Sequence, residues 1–119
     1  MNHGRKTTGG KYHKDHKRKW YEHKSQENET SLGETKSKIV RKRGNHKKAI
    51  LLKSNKANLT IGKKTEQVDI KNVLQTPQNI FLARQNRLIK GAIIETSKGK
   101  ARITNRPSRE GVINAILTE

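Results

Sequence analysis

Apolar residues are spread so unevenly along this chain of 119 residues that its two parts cannot share one kind of fold. Five fall within residues 1–37 (Met1, Tyr12, Trp20, Tyr21 and Leu32) and twenty-nine within 38–119. Ordering a backbone costs roughly 1–2 kcal/mol per residue, and a segment so poor in apolar surface cannot offset that. Residues 1–37 are therefore expected to be a disordered arm and linker. Residues 38–119 can close one small core, with stability near the low end of the usual ~5–15 kcal/mol.

The pattern of that second part is β. Ile39-Val40 and Ala49–Leu52 flank a turn at Gly44-Asn45, as in a hairpin. Ala57–Ile61 alternates with period two and stops at Gly62, and Val68, Ile70 and Val73-Leu74 give a further strand. Thr76 and Pro77 are suited to cap and open a short helix carrying Ile80, Phe81 and Leu82, with Phe81 placed in the core. Gly91–Thr96 and Lys100–Asn105 read as strands across Ser97-Lys98-Gly99, and Gly111–Thr118 as the last. The expected fold is all-β: a small antiparallel β-barrel of six to seven strands behind a disordered basic N-terminal arm.

Charge decides what such a body meets. The formal net charge is +18, and self-repulsion of that size opposes compaction unless a polyanion neutralises it. The charge is densest at Lys38–Lys53, which holds Lys38, Arg41, Lys42, Arg43, Lys47, Lys48 and Lys53 and neither Asp nor Glu. A cationic turn on two apolar strands reads as a fixed contact for folded RNA, expected to be made to the backbone through Arg41, Lys42, Arg43, Lys47 and Lys48, with Arg84, Arg87, Arg102, Arg106 and Arg109 as further candidates. In the arm, Tyr12, Trp20 and Tyr21 are three of the chain's four aromatic residues. A segment without a core has no structural use for a Trp. Rings interleaved with cations suit stacking on unpaired bases and pairing with phosphates. Residues 25–37, SQENETSLGETKS, lean acidic and read as a linker or surface loop.

Other classes find little support. Asp69, Glu66, Glu95 and Glu110 are scattered, with no nucleophile motif and no phosphate loop, so catalysis is not expected; a nuclease using Glu95 or Asp69 is the enzymatic alternative. His3, His13, His16 and His23 lie on a segment with no scaffold to fix three or four ligands, so no metal and no cofactor is expected. There is no Cys, no apolar run near the roughly 18 residues of a membrane span, and no apolar segment behind the basic N-terminus. A cytoplasmic protein, monomeric when free and independent of membranes, is expected.

Several blocks, in this order, resemble one family. Arg5–Tyr12 (RKTTGGKY), Lys17–Glu22 (KRKWYE), Lys38–Asn45 with Lys47, and the C-terminal KGAIIETSKGKARITNRPSREGVINAILTE are similar to the archaeal and eukaryotic small-subunit ribosomal protein S8e family. The short length resembles the archaeal form. This chain has Glu22-His23-Lys24 where the family usually continues Glu-Leu-Gly, and Gly44 alone before Asn45 where two glycines are common. The resemblance implies a structural protein of the small ribosomal subunit, with a β-barrel body on the rRNA and an N-terminal extension threaded into it, next to other small-subunit proteins. It further implies RNA contacts from Arg5, Lys6, Lys11, Lys17, Arg18 and Lys19 in the arm and from Arg41, Arg43, Asn45 and Lys47 in the turn. The alternative is an assembly factor of the same superfamily that joins a precursor particle and leaves it.

Overall fold

A computed structural model describes residues 4–13, 16–24 and 27–118. Among the described residues eight strands and two short α-helices follow one another: β1 (Ser31–Leu32), β2 (Lys36–Arg41), β3 (Lys47–Ser54), β4 (Lys56–Ile61), β5 (Lys64–Gln75), α1 (Ile80–Arg84), β6 (Ile93–Thr96), β7 (Gly99–Ile103), α2 (Pro107–Glu110) and β8 (Asn114–Leu117). Strands β4 to β8 form a closed barrel in sequence order, and a separate three-stranded sheet runs β1-β3-β2.

The expected barrel of six to seven antiparallel strands is thus corrected to five. In an up-and-down barrel with an odd number of strands, the first and last point the same way, so the closure must be parallel. β4 and β8 do pair parallel, Leu59 opposite Ala115. The β2–β3 hairpin stays outside because β2 has no apolar face to contribute. Its sequence is KSKIVR, five of its six residues are exposed, and Val40 alone is half-buried. The chain leaves this sheet at a bend. Ser54 Oγ accepts from Lys56 N–H at 3.1 Å, and Asn55 C=O accepts from Ile70 N–H at 2.7 Å, so β4 starts in the second sheet one residue after β3 ends.

The barrel interior is narrow. Ala57 and Leu59 of β4, Val68, Ile70 and Val73 of β5, Ile94 of β6, Ala101 and Ile103 of β7 and Ala115 of β8 fill it, with Leu88 and Ala92 from the loop before β6. Alternate inward positions and frequent alanines suit a small closed sheet. β5 serves two neighbours, pairing with β4 along Lys64–Asp69 and with β6 from Ile70 onward, where its register shifts.

α1 differs from the sequence expectation in two respects. Its N-cap is Asn79, whose Oδ1 accepts from Phe81 N–H at 3.0 Å. Thr76 lies buried beneath the helix instead, its hydroxyl bonded to Asn79 C=O and accepting from Ala83 N–H at 3.1 Å. Phe81 is not a core residue. It is 64 % exposed and Ile80 71 %, because a helix of five residues turns only Leu82 and Ala83 towards the barrel.

Two ties hold the outer sheet to the barrel. α2 packs on β3 and ends at Gly111 (φ 78°), where a Cβ would come within 3.2 Å of Ala49 Cβ; the left-handed turn and the close approach both call for glycine. On the other side, Thr30 is buried, donates to Leu51 C=O at 2.8 Å, and accepts Leu88 N–H at its carbonyl at 2.8 Å. Leu32 N–H donates to Asn86 C=O at 3.0 Å, and Arg87 pairs with Glu29 at 2.5 Å. Residues 29–32 are therefore pinned between β3 and the segment after α1.

Asn105 organises the α2 side. Its amide donates to Val112 C=O at 2.8 Å and to Glu110 Oε2 at 3.1 Å, and its carbonyl accepts Asn114 N–H at 3.0 Å. These bonds hold the Glu110 carboxyl below its usual range, Asn105 being the main cause and the Arg106 N–H the next. A lowered carboxylate stabilises the fold at neutral pH, and that contribution fades as acid protonates Glu110 through its lowered value. Asn105→Ala is expected to cost about 1–3 kcal/mol, because the buried Asn105 side chain is lost and Val112 C=O and Asn114 N–H lose that partner. A calorimetric midpoint lower by roughly 5–15 °C would record it.

Candidate nucleic-acid interface

The β2–β3 hairpin belongs to the sheet outside the barrel, and its tip gathers five cations, Arg41, Lys42, Arg43, Lys47 and Lys48. The ladder sets Ile39 opposite Ala49, Val40 opposite Lys48 and Arg41 opposite Lys47. Between the strands, Lys42 N–H donates to His46 C=O at 2.6 Å and closes the loop. Gly44 (φ 66°) and Asn45 (φ 61°) are both left-handed, a conformation that Gly adopts freely and Asn better than most other residues. The backbone thereby folds back within the loop.

Arg41, Lys42, Arg43 and His46 line one shallow hollow at this tip. Sequence reading placed the first three here together with Asn45, Lys47 and Lys48. It did not single out His46, although that residue lies within the same acid-free run. Among the described residues no ion pair involves any part of the hairpin. Lys48 is half-buried, and its charge acts on Glu110. Arg41 faces Lys47, and Lys36 faces Lys53 at the base of the hairpin. Directly opposed like charges destabilise a strand pair. A free protein gains nothing from this arrangement. An anion threaded between the cations removes the penalty.

The arm residues form two small groups. Arg5 and Lys11 bridge antiparallel around a turn in which Gly9 N–H donates to Lys6 C=O at 2.8 Å and Lys6 N–H to Gly10 C=O at 2.9 Å. Arg5 Nη1 donates to Gly9 C=O at 3.1 Å, and Lys6 Nζ lies 5.7 Å from the Tyr12 ring centroid. Lys17, Arg18 and Lys19 lead into a single 3-10 turn at Trp20–Glu22, which Glu22 steadies by accepting Lys19 N–H at 3.0 Å. Every described residue from Gly4 to Lys24 is exposed, and Trp20 is 92 % exposed. Of the further candidates, Arg87 is committed to Glu29, while Arg84, Arg102, Arg106 and Arg109 are exposed.

Among the described residues no three His, Asp or Glu side chains stand close enough to hold a metal ion. His16 Nε2 lies 3.8 Å from Glu22. His3 falls outside the described residues. Glu66 pairs with Lys98 at the barrel surface. No helix among the described residues is long and apolar enough to cross a membrane.

Fold and surface together define a class: a small, strongly cationic β-barrel protein that offers a charged hairpin and a charged extension. Sequence comparison gives the family. The sequence model described as ribosomal protein S8e matches residues 1–118, and the chain belongs to that family. It is 43 % identical to the small ribosomal subunit protein eS8 of Haloarcula marismortui over 115 residues, covering 97 % of this chain and 94 % of that protein. It is also 43 % identical to the eS8 protein of Methanococcus aeolicus over 118 residues, covering 95 % and 91 %. The eS8 protein of Halorubrum lacusprofundi is 39 % identical over 115 residues. Members of this family are structural components of the ribosome and not enzymes.

Proposed function

We propose that this protein is a structural constituent of the small ribosomal subunit in the cytoplasm and clamps folded rRNA at two places. The hairpin tip (Arg41, Lys42, Arg43, Asn45, Lys47 and Lys48) grips phosphates from a fixed geometry. The arm (Arg5, Lys6, Lys11, Tyr12, Lys17, Arg18, Lys19 and Trp20) wraps RNA with cations and rings. Residues 38–119 act as the body; residues 1–28 are an arm that orders on RNA, and residues 29–37 link it to the body, fixed there by Thr30 and β1. Neighbouring small-subunit proteins complete the surroundings, and the free protein is a monomer.

One observation carries the reading: the acid-free hairpin sets like charges opposite one another and leaves them without an ion-pair partner among the described residues. A surface of that kind costs stability until a polyanion occupies it. If six to ten phosphates are engaged, affinity for small-subunit rRNA falls by roughly a thousandfold or more between 50 and 200 mM salt. Filter binding across that range tests it, and a flat dependence would sink the reading.

A further inference from the structure

The outward pair on α1 is the feature that neither the core nor the charged hairpin uses. Ile80 and Phe81 are the most exposed large apolar residues of the barrel domain apart from the hairpin. Their exposure is built in. Thr76, buried, bonds to both Asn79 and Ala83, Asn79 caps Phe81 N–H, and Gln78 Nε2 donates to Lys90 C=O at 2.7 Å. Four hydrogen bonds, made by the side chains of Thr76, Gln78 and Asn79, thus fix a direction that turns Phe81 to the outside. A guanidinium, Arg84, lies 5.6 Å from the centre of its ring.

We infer that Phe81 and Arg84 form a stacking platform for an unpaired base of the rRNA, a third contact site separate from the hairpin and the arm. The inference rests on the rRNA reading above. A phenyl ring stacks on any base because every base has a π face, and an adjacent guanidinium reaches the phosphate or covers the base edge. Charge favours RNA over a protein partner here. Arg84 and Lys90 are exposed on this side, and of the carboxylates near them Glu29 is already paired with Arg87 and Glu110 is held by Asn105 and the Arg106 N–H. The site requires a nucleotide free of its helix, so it selects a bulge or loop and not a duplex.

The test uses the full chain and a transcript of small-subunit rRNA, with a fully paired RNA duplex of equal length as control. Phe81→Leu keeps the apolar bulk and removes the π face; Phe81→Trp keeps both. Affinity for the rRNA is expected to fall about tenfold in Phe81→Leu and to stay close to wild type in Phe81→Trp, while the duplex distinguishes neither from wild type. Unchanged thermal midpoints confirm that the exposed position is not structural. Full rRNA affinity in Phe81→Leu overturns the platform. So does a variant that keeps RNA affinity and instead loses uptake into reconstituted particles containing ribosomal proteins, since a protein then covers the site. If Phe81→Leu is silent while charge reversal at the hairpin abolishes binding, the platform fails and the rRNA reading stands. If the wild type binds no rRNA, both fall.

Discussion

Reversing Arg41, Arg43 and Lys47 together to Glu is expected to abolish tight rRNA binding while leaving the free protein folded, with an unchanged or higher thermal midpoint. The two halves of this result come from the same geometry. All three side chains are exposed at the tip, outside the barrel core, so their replacement opens no cavity. The formal charge drops by six from +18, and the new carboxylates stand beside Lys42 and His46 in place of further cations. Self-repulsion therefore decreases. Binding moves the other way. Three phosphate contacts disappear and three like charges face the backbone, so affinity at ~100 mM salt falls by about a hundredfold or more and the slope of log affinity against log salt flattens by about three. Calorimetry on the free variant and salt-titrated binding separate the two effects. Unfolding of the free variant would mean that the cluster holds the hairpin together and that the functional reading of it is wrong.

What the sequence shows and hides follows from how local each signal is. The hairpin is legible because Ile39-Val40, Gly44-Asn45 and Ala49–Leu52 lie within sixteen residues and its turn needs residues that tolerate a left-handed backbone. The strand of Ala57–Ile61 is legible for the same reason, since its alternation survives as buried Ala57 and Leu59. The closure of the barrel is not legible. Whether β2 and β3 join β4 to β8 depends on a bend at Asn55 and on β2 lacking an inner face, and a count of strand-like runs cannot separate one sheet from two. α2 carries familiar marks, Pro107 at its first turn and Gly111 after its end, but four residues give no periodicity to detect. Phe81 misleads because Ile80-Phe81-Leu82 reads as one apolar run. Helical geometry splits it, and only Leu82 turns inward. In the interface the cations were visible as a cluster, whereas the opposition of Arg41 to Lys47 and the inclusion of His46 needed the register.

Removing residues 1–24 is expected to weaken rRNA binding by about a hundredfold to ten-thousandfold and to leave the barrel as stable as before. Stability is spared because the truncation stops short of the anchor. Glu29 still pairs with Arg87, Thr30 still bridges Leu51 and Leu88, and β1 still runs beside Lys53 and Ser54 of β3. That anchor also explains the size of the loss. It ties the arm to the base of the hairpin, one strand length or roughly 25 Å from the tip. Fully extended, 24 residues span up to about 80 Å, so arm and tip can hold separate parts of one RNA surface at once. Once one contact forms, the other becomes intramolecular at an effective concentration near millimolar, and cutting the arm forfeits that gain together with its own cations and rings. A second truncation, of residues 1–32, makes the assignment decisive. It removes Thr30 and β1, leaves Leu51 C=O and Leu88 N–H without those partners, and should lower the thermal midpoint of the free protein by roughly 5–15 °C. Equal stability of the two truncations would show that residues 29–32 do not anchor the arm. Equal rRNA affinity of the shorter truncation and the full chain would leave the hairpin as the sole clamp.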